Sequence, residues 1–380
     1  MSNFTNTTIS KEEFTDELQS AWLLLCTFLV VSMQLGFAML EVGTVREAHR
    51  MTVLAKNIMD SVVSCFAFGF GASWMGLSLI LDKHGHVMYD RQLYNWVFCA
   101  TSVTICSGSM AERTHMIAYL THAALMAGFI YPSIAEAVWG DGTGFLYNEM
   151  HKRFEDAHSY HDCAGSGVVH FVGGMAAFAG NTLLGRRIMR PDAAYTGEEQ
   201  LDEEQASPMF PPSAQSTRSV SLQTSALALE ERRQILQLRC SSAQEELCRL
   251  AVQPWQRRFD DAERDKFEFK ACNYLQVMGM FILWVGWYGF NAGSALTGNG
   301  ASPHTAGLIS WNTTMAASAG GFGAYIYMYG FHSNIDMGVL CNGVLSGLVS
   351  CTASCDIATP LTSALIGLLA GLVVYPLCSK

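Results

Sequence analysis

The chain has 380 residues, 50% of them hydrophobic and 15% charged, with a formal net charge of −10. Soluble domains carry roughly 25% charged residues, so the composition argues against an ordinary soluble fold, and no basic patch for nucleic acid is present. The 12 cysteines show no paired metal-ligand spacing, and most lie in apolar runs, where a thiol is a small apolar filler.

Apolar stretches of about 20 residues, the length a helix needs to cross a bilayer, recur along the chain. They fall at 20–40, 57–81, 93–110, 116–139, 162–184, 273–296, 306–331, 337–354 and 359–378. A series of nine predicts an all-α polytopic membrane protein, because lipid offers the backbone no hydrogen-bond partners and the spans must be helical. Met1 to Gln19 is polar and reads as an extracellular segment ahead of the first span, with no cleavable signal peptide.

Loop charge predicts the orientation. Arg46, Arg50 and Lys56 follow the first run, Arg113 the third, and Arg186, Arg187 and Arg190 the fifth, while the alternate loop from Asp141 to Asp156 is acidic. The positive-inside rule puts the basic segments in the cytoplasm, the N-terminus outside and Lys380 inside. Sequons at Asn3 and Asn6 agree with that side; a third, Asn312, falls within a predicted span.

Tyr94 and Phe98 share a face near the outer end of the third run, Trp139 ends the fourth, and Phe290 precedes Ser294 in GWYGFNAGSA of the sixth. Taken singly, such aromatics are interface anchors. Gathered around one vestibule they form a cup whose ring faces attract a cation, with Ser294 accepting a hydrogen bond from it. The fifth run, DCAGSGVVHFVGG, opens on Asp162 and carries His170 about 12 Å deeper along the helix. Asp162 suits a helix cap. His170, near mid-bilayer, either offers one donor and one acceptor to a small polar solute or bonds to a neighbouring helix. Gly165, Gly167, Gly173, Gly174 and Gly180, with Ala176 and Ala177, present a small-residue surface that brings helices close, which suggests a narrow conduit.

Residues 188–268 interrupt the apolar pattern and split the spans into five and four. An acidic, Ser/Pro-rich stretch reads as disordered and is followed by a helical pattern through Leu229, Leu236, Cys240, Leu247 and Leu250, ended by Pro254. A tolerated cytoplasmic loop accounts for it; a regulatory element with Ser219 or Ser221 as phosphosites is the sharper alternative. Cys351 and Cys355 sit one helical turn apart and read as two free thiols.

Several motifs together resemble the ammonium transporter family: DCAGSGVVHFVGG, FAMLEVGTVREAHRMTVLAKNIMD, CSGSMAERT, IYPSIAEAVWG and WVGWYGFNAGSA, in that order, with Trp139 and Ser294 as in its Amt branch. The resemblance implies an eleven-helix bundle around one pore per subunit, built as two inverted five-helix repeats plus a final helix, in homotrimers of the plasma membrane. Carried over by motif, Phe98, Trp139 and Ser294 form an outer ammonium-recruitment site with Tyr94 beside it. Asp162 supports binding and pore structure, His170 is the first of two facing pore histidines, and Trp287 lines the pore. The implied activity is ammonium recruitment followed by conduction of ammonia, the proton travelling separately.

Two departures bear on that expectation. The family's second pore histidine lies in a tenth helix, and the sequence stops at PLCSK, where the ninth would end. The expected domains are therefore a first repeat at 20–187, an insert at 188–268 and an incomplete second repeat of four helices at 269–380. Such a chain is either an incomplete gene model, a family member that conducts poorly, or a non-conducting ammonium sensor signalling through the insert. Glu136, three residues before Trp139, replaces a frequent histidine. No nucleophile with a base, metal cluster or phosphate loop is visible, so neither an enzyme nor a cofactor is expected.

Overall fold

The computed structural model describes residues 10–72, 87–140, 160–185, 271–297, 303–331 and 335–376. Its regular elements are helices: α1 (Lys11–Thr44), α2 (Arg50–Ala67), α3 (Tyr89–Met110), α4 (Met116–Leu125), α5 (Tyr131–Trp139), α6 (Val172–Leu184), α7 (Asn273–Thr297), α8 (Pro303–Phe331), α9 (Met337–Cys351) and α10 (Pro360–Leu369). Among the described residues, four helical stretches are long and apolar enough to cross a membrane: Phe14–Thr44, Arg50–Gly71, Met116–Trp139 and Ser166–Leu184. Phe28, Phe66, Phe129, Phe178, Phe281 and Phe322 are exposed. A large apolar surface of this kind on a helical bundle belongs against lipid or another subunit.

Wide π-helical turns interrupt the helices at Phe68–Ala72, Met126–Ile130, Ser166–Phe171 and Ala370–Val374. The second joins α4 to α5 just before Pro132, whose missing N–H cannot serve the carbonyl four residues back. The third opens the helix of His170. There the N–H of His170 reaches back five residues to the Gly165 carbonyl at 3.1 Å, which turns the imidazole away from an ordinary helical position.

Glycine sets how close the helices come. α1 and α7 run together where Gly36 meets Gly279; a Cβ on Gly279 would lie 2.6 Å from both Gly36 O and Leu40 N. On α6, a Cβ on Gly173 would lie 2.8 Å from Ser102 O of α3. Without a side chain between them, the backbones pack directly.

The structure changes one part of the loop reading. The second helix begins at Arg50, seven residues ahead of the predicted start at 57, and Lys56 is not a loop charge: it is 2% exposed, inside α2. Its ammonium donates to Thr114 O at 2.8 Å and lies 5.2 Å over the ring of Tyr119. The apolar run could not show this, because a charged residue with partners on neighbouring helices is tolerated where a bare one is not. Asn312 is buried, its Nδ2 donating to Cys355 O and Ala358 O at 2.9 and 2.7 Å, so it is closed to glycosylation. Asn3, Asn6 and the 188–268 insert with Ser219 and Ser221 lie outside the described residues.

Candidate functional site

The site begins with a turn. Asp162 precedes the helix of His170, and its carboxylate accepts four backbone N–H groups: Gly165 (2.9 Å) and Ser166 (2.8 Å) on Oδ1, Gly167 (2.8 Å) and Val168 (3.0 Å) on Oδ2. These are the orphan donors of the helix start, and an ionised acceptor at the positive end of the helix holds them strongly. Gly165 takes φ +93°, a left-handed conformation that a Cβ would disfavour, so the chain can fold back over the carboxylate. Asp162 is thus a buried cap, and its negative charge lies against amide dipoles at one end of the bundle.

From that end a column of rings runs inward. The indole N–H of Trp139 donates to Asp162 O at 2.7 Å, which pins the partly exposed ring at the edge of the column. Trp139 meets Phe98 edge-on with centroids 6.2 Å apart; Phe98 stacks on Phe290 at 3.9 Å and 11°. Phe290 meets the imidazole of His170 edge-on at 5.3 Å, and His170 stacks on Trp287 at 5.1 Å. Trp287 is held by its N–H, which donates to Thr352 Oγ1 at 2.9 Å.

Tyr94 stacks obliquely on Phe98 at 4.7 Å, and its hydroxyl lies 2.8 Å from Phe290 O, 3.1 Å from Gly289 O and 3.2 Å from Ser294 Oγ. Ser294 Oγ in turn donates to Phe290 O at 2.9 Å. Tyr94 is therefore a buried tie from α3 to α7, one layer beneath Trp139, with Ser294 beside it.

His170 Nδ1 lies 3.1 Å from Gly165 O. A carbonyl only accepts, so this bond places the proton on Nδ1, and in the neutral ring Nε2 is left as a bare acceptor. Among the described residues Nε2 has no protein partner, and it is buried. A buried acceptor of this kind costs about 1–3 kcal/mol unless something fills it.

Two groups were hidden from the sequence. Phe290, named there only as one of several aromatics, is the link between Phe98 and His170; its spacing from Trp287 and Ser294, three and four residues, was the available signal. The second is a charged cluster within α1–α4. Glu41 Oε1 accepts from Ser107 Oγ and Oε2 from Asn57 Nδ2 at 2.8 Å, while Tyr119 donates to Asp60 Oδ2 at 2.7 Å. Lys56 and Asp60, four apart in KNIMD, were the readable part of it.

The fold and site define a multi-pass helical membrane protein with a buried ring-and-imidazole column. The sequence matches the family model described as Ammonium Transporter Family over residues 21–205 and 248–379, and the chain belongs to that family. Among curated relatives, the "Ammonium transporter Amt2" of Archaeoglobus fulgidus is 32% identical over 342 residues, 87% of this chain and 58% of that protein. The "Ammonium transporter 1 member 3" of Solanum lycopersicum is 31% identical over 360 residues, 88% of this chain and 62% of that protein. The chain thus spans about three fifths of the length of these relatives. The fold resembles a solved structure titled "Sensor Amt Protein", with a TM-score of 0.67 at 24% identity over 96% of this chain and 75% of that one. It also resembles Mep2 of Candida albicans, with a TM-score of 0.63 at 20% identity over 95% and 66% of the two chains.

Proposed function

We propose that the chain moves ammonium across its membrane, recruiting NH4+ at Trp139, Phe98 and Ser294 and passing NH3 beside His170. One observation carries this reading: a bare imidazole acceptor at the inner end of a ring column that starts at a partly exposed tryptophan. Ring faces attract a cation without binding it as a carboxylate does. Asp162, its charge committed to the helix cap, adds negative potential at the outer end and keeps the helix of His170 in register. An ammonium ion stripped of water is too costly to bring between apolar rings, so it leaves its proton above the Phe98–Phe290 stack. Ammonia then donates to Nε2 and moves on past Trp287, and the proton crosses separately.

The reading extends to topology. Arg46, Arg50 and Arg113 lie at one end of the helices and Trp139, Asp162 and Ser294 at the other, which supports an N-terminus outside and a C-terminus inside the plasma membrane. Exposed Tyr274, Met278, Phe281 and Val285 form a stripe along α7 that suits lipid or a neighbouring copy, as in a homotrimer.

The test is ammonium-driven flux into vesicles holding the full chain, followed by an internal pH dye and by current. His170→Ala is expected to change flux or selectivity by about tenfold, equivalent to about 1.4 kcal/mol, with membrane insertion unchanged. Unaltered flux in that variant would return His170 to a packing role. Saturable binding of ammonium with no flux in the parent chain would favour a sensor.

A further inference from the structure

The turn that opens the helix of His170 runs antiparallel to the last turn of α9 and the residues that leave it. Three contacts hold the two segments in register. His161 Nε2 lies 2.9 Å from Asp356 Oδ1, the N–H of Cys163 donates to Ala353 O at 2.9 Å, and Ser166 Oγ donates to Val349 O at 2.9 Å. The same turn of α9 holds Trp287. Its indole N–H donates to Thr352 Oγ1 at 2.9 Å, and the N–H of Thr352 returns to Val349 O at 3.3 Å. Thr352 Oγ1 gives its own proton to Leu348 O at 2.8 Å, which leaves its lone pairs to the indole. Val349 O is thus shared. It accepts the hydroxyl that ties down the turn of His170 and the amide of the residue that holds Trp287.

We infer that Ser166 and Thr352 are positioning residues, which together set the His170–Trp287 stack from one carbonyl of α9. Ser166 is the first residue of the π-helical turn Ser166–Phe171 that carries His170. Its N–H is held by Asp162 Oδ1 at 2.8 Å, so the cap closes the turn on itself, while the hydroxyl ties the turn across to α9. A serine or threonine in a helix ordinarily bonds back to the carbonyl four residues earlier. Thr352 does so; Ser166, at the opening of its helix, spends its hydroxyl on another element. The imidazole and the indole stand on different helices, stacked at 5.1 Å with their planes 27° apart. Stacking by itself restrains two rings softly. A common acceptor gives both rings one origin.

The consequence falls on the rate of passage. The inference rests on the function proposed above only in taking His170 and Trp287 as groups past which ammonia moves. Loosening either tie lets the bare Nε2 drift from the place where ammonia meets it, which slows passage and leaves the recruiting rings of Trp139 and Phe98 as they are.

The experiment uses the full chain in lipid nanodiscs, labelled with fluorotryptophan or with nitrogen-labelled histidine and followed by NMR. The Trp287 fluorine line is assigned by its loss in Trp287→Phe, and the His170 nitrogen lines by their loss in His170→Ala. Ser166→Ala is expected to shift the Trp287 line and Thr352→Val the His170 lines, each acting on the ring it does not bond. Ser166→Thr and Thr352→Ser, which keep the hydroxyl, should leave those lines at the parent positions. In the double variant Ser166→Ala with Thr352→Val the shifts should fall short of the sum, because both changes act on one carbonyl. In ammonium flux, Ser166→Ala should lower the maximal rate roughly 2- to 12-fold, the effect of one lost hydrogen bond, at the parent half-saturating concentration. Shifts confined to the ring each residue adjoins, remote shifts that persist in the hydroxyl-keeping variants, additive shifts, or a raised half-saturating concentration at the parent rate would each overturn the shared reference. A parent chain without flux would sink the transport reading alone, since the NMR lines report the positioning without it.

Discussion

Two polar regions are buried in the bundle, and they differ in kind. The cluster of Glu41, Lys56, Asn57, Asp60, Ser107 and Tyr119 is charged and lies within the first four helices. The ring column of Trp139, Phe98, Phe290, His170 and Trp287 is neutral apart from the capped Asp162 and draws on helices from both sides of the insert. Among the described residues the first leaves two buried atoms without a protein partner, Asn57 Oδ1 and Asp60 Oδ1, and the second leaves one, His170 Nε2. A buried ionisable group is therefore not by itself a mark of transport. Acids and a lysine bonded to neighbouring helices tie those helices together, whereas an imidazole lone pair among rings binds weakly enough to release what it takes.

That contrast can be broken most forcefully at Lys56. Lys56→Met removes the buried ammonium that donates to Thr114 O beside Glu41 and Asp60, a charged hydrogen bond worth about 1.5–3 kcal/mol. The expected outcome is a large fall in monodisperse protein on detergent size exclusion, with flux lost in proportion to folded protein. Flux lost at normal yield would move the cluster into the transport machinery. Asp162→Ala comes next, because four N–H groups lose their acceptor together. A loss of at least about 2 kcal/mol is expected, seen as a lower melting temperature, with flux per folded molecule reduced because the His170 turn loosens.

Smaller changes sharpen the comparison from the column side. Trp139→Leu should leave stability near that of the parent while raising the half-saturating ammonium concentration roughly 2- to 30-fold, the range set by a cation–π contact of about 0.5–2 kcal/mol. An unchanged concentration dependence would take Trp139 out of recruitment. Last is Thr352→Val, which leaves the buried Trp287 N–H without its acceptor at a cost of about 1–3 kcal/mol. A modest change in flux is expected, with tryptophan fluorescence reporting a more mobile indole.

Much of the architecture was readable beforehand. Among the described residues, helices occupy the positions of the apolar runs, and the Asp162–His170 pair with its glycines marked an unusual helix. The boundaries of α2 were not readable. Its first turns carry Arg50, Lys56 and Asp60, so a hydropathy window closes early, while the fold buries Lys56 and Asp60 against Thr114 and Tyr119. Nor could the sequence show Tyr94 committed to carbonyls on α7, nearly 200 residues away.

Sequence alone determined that the chain is a multi-pass helical membrane protein, because that follows from the local cost of placing side chains and backbone in lipid. The tertiary structure decided which of its polar and aromatic groups meet. Whether scattered aromatics form a column, and that Tyr94 is tied to carbonyls of α7, depend on contacts between helices far apart in the chain. No local free energy encodes those contacts.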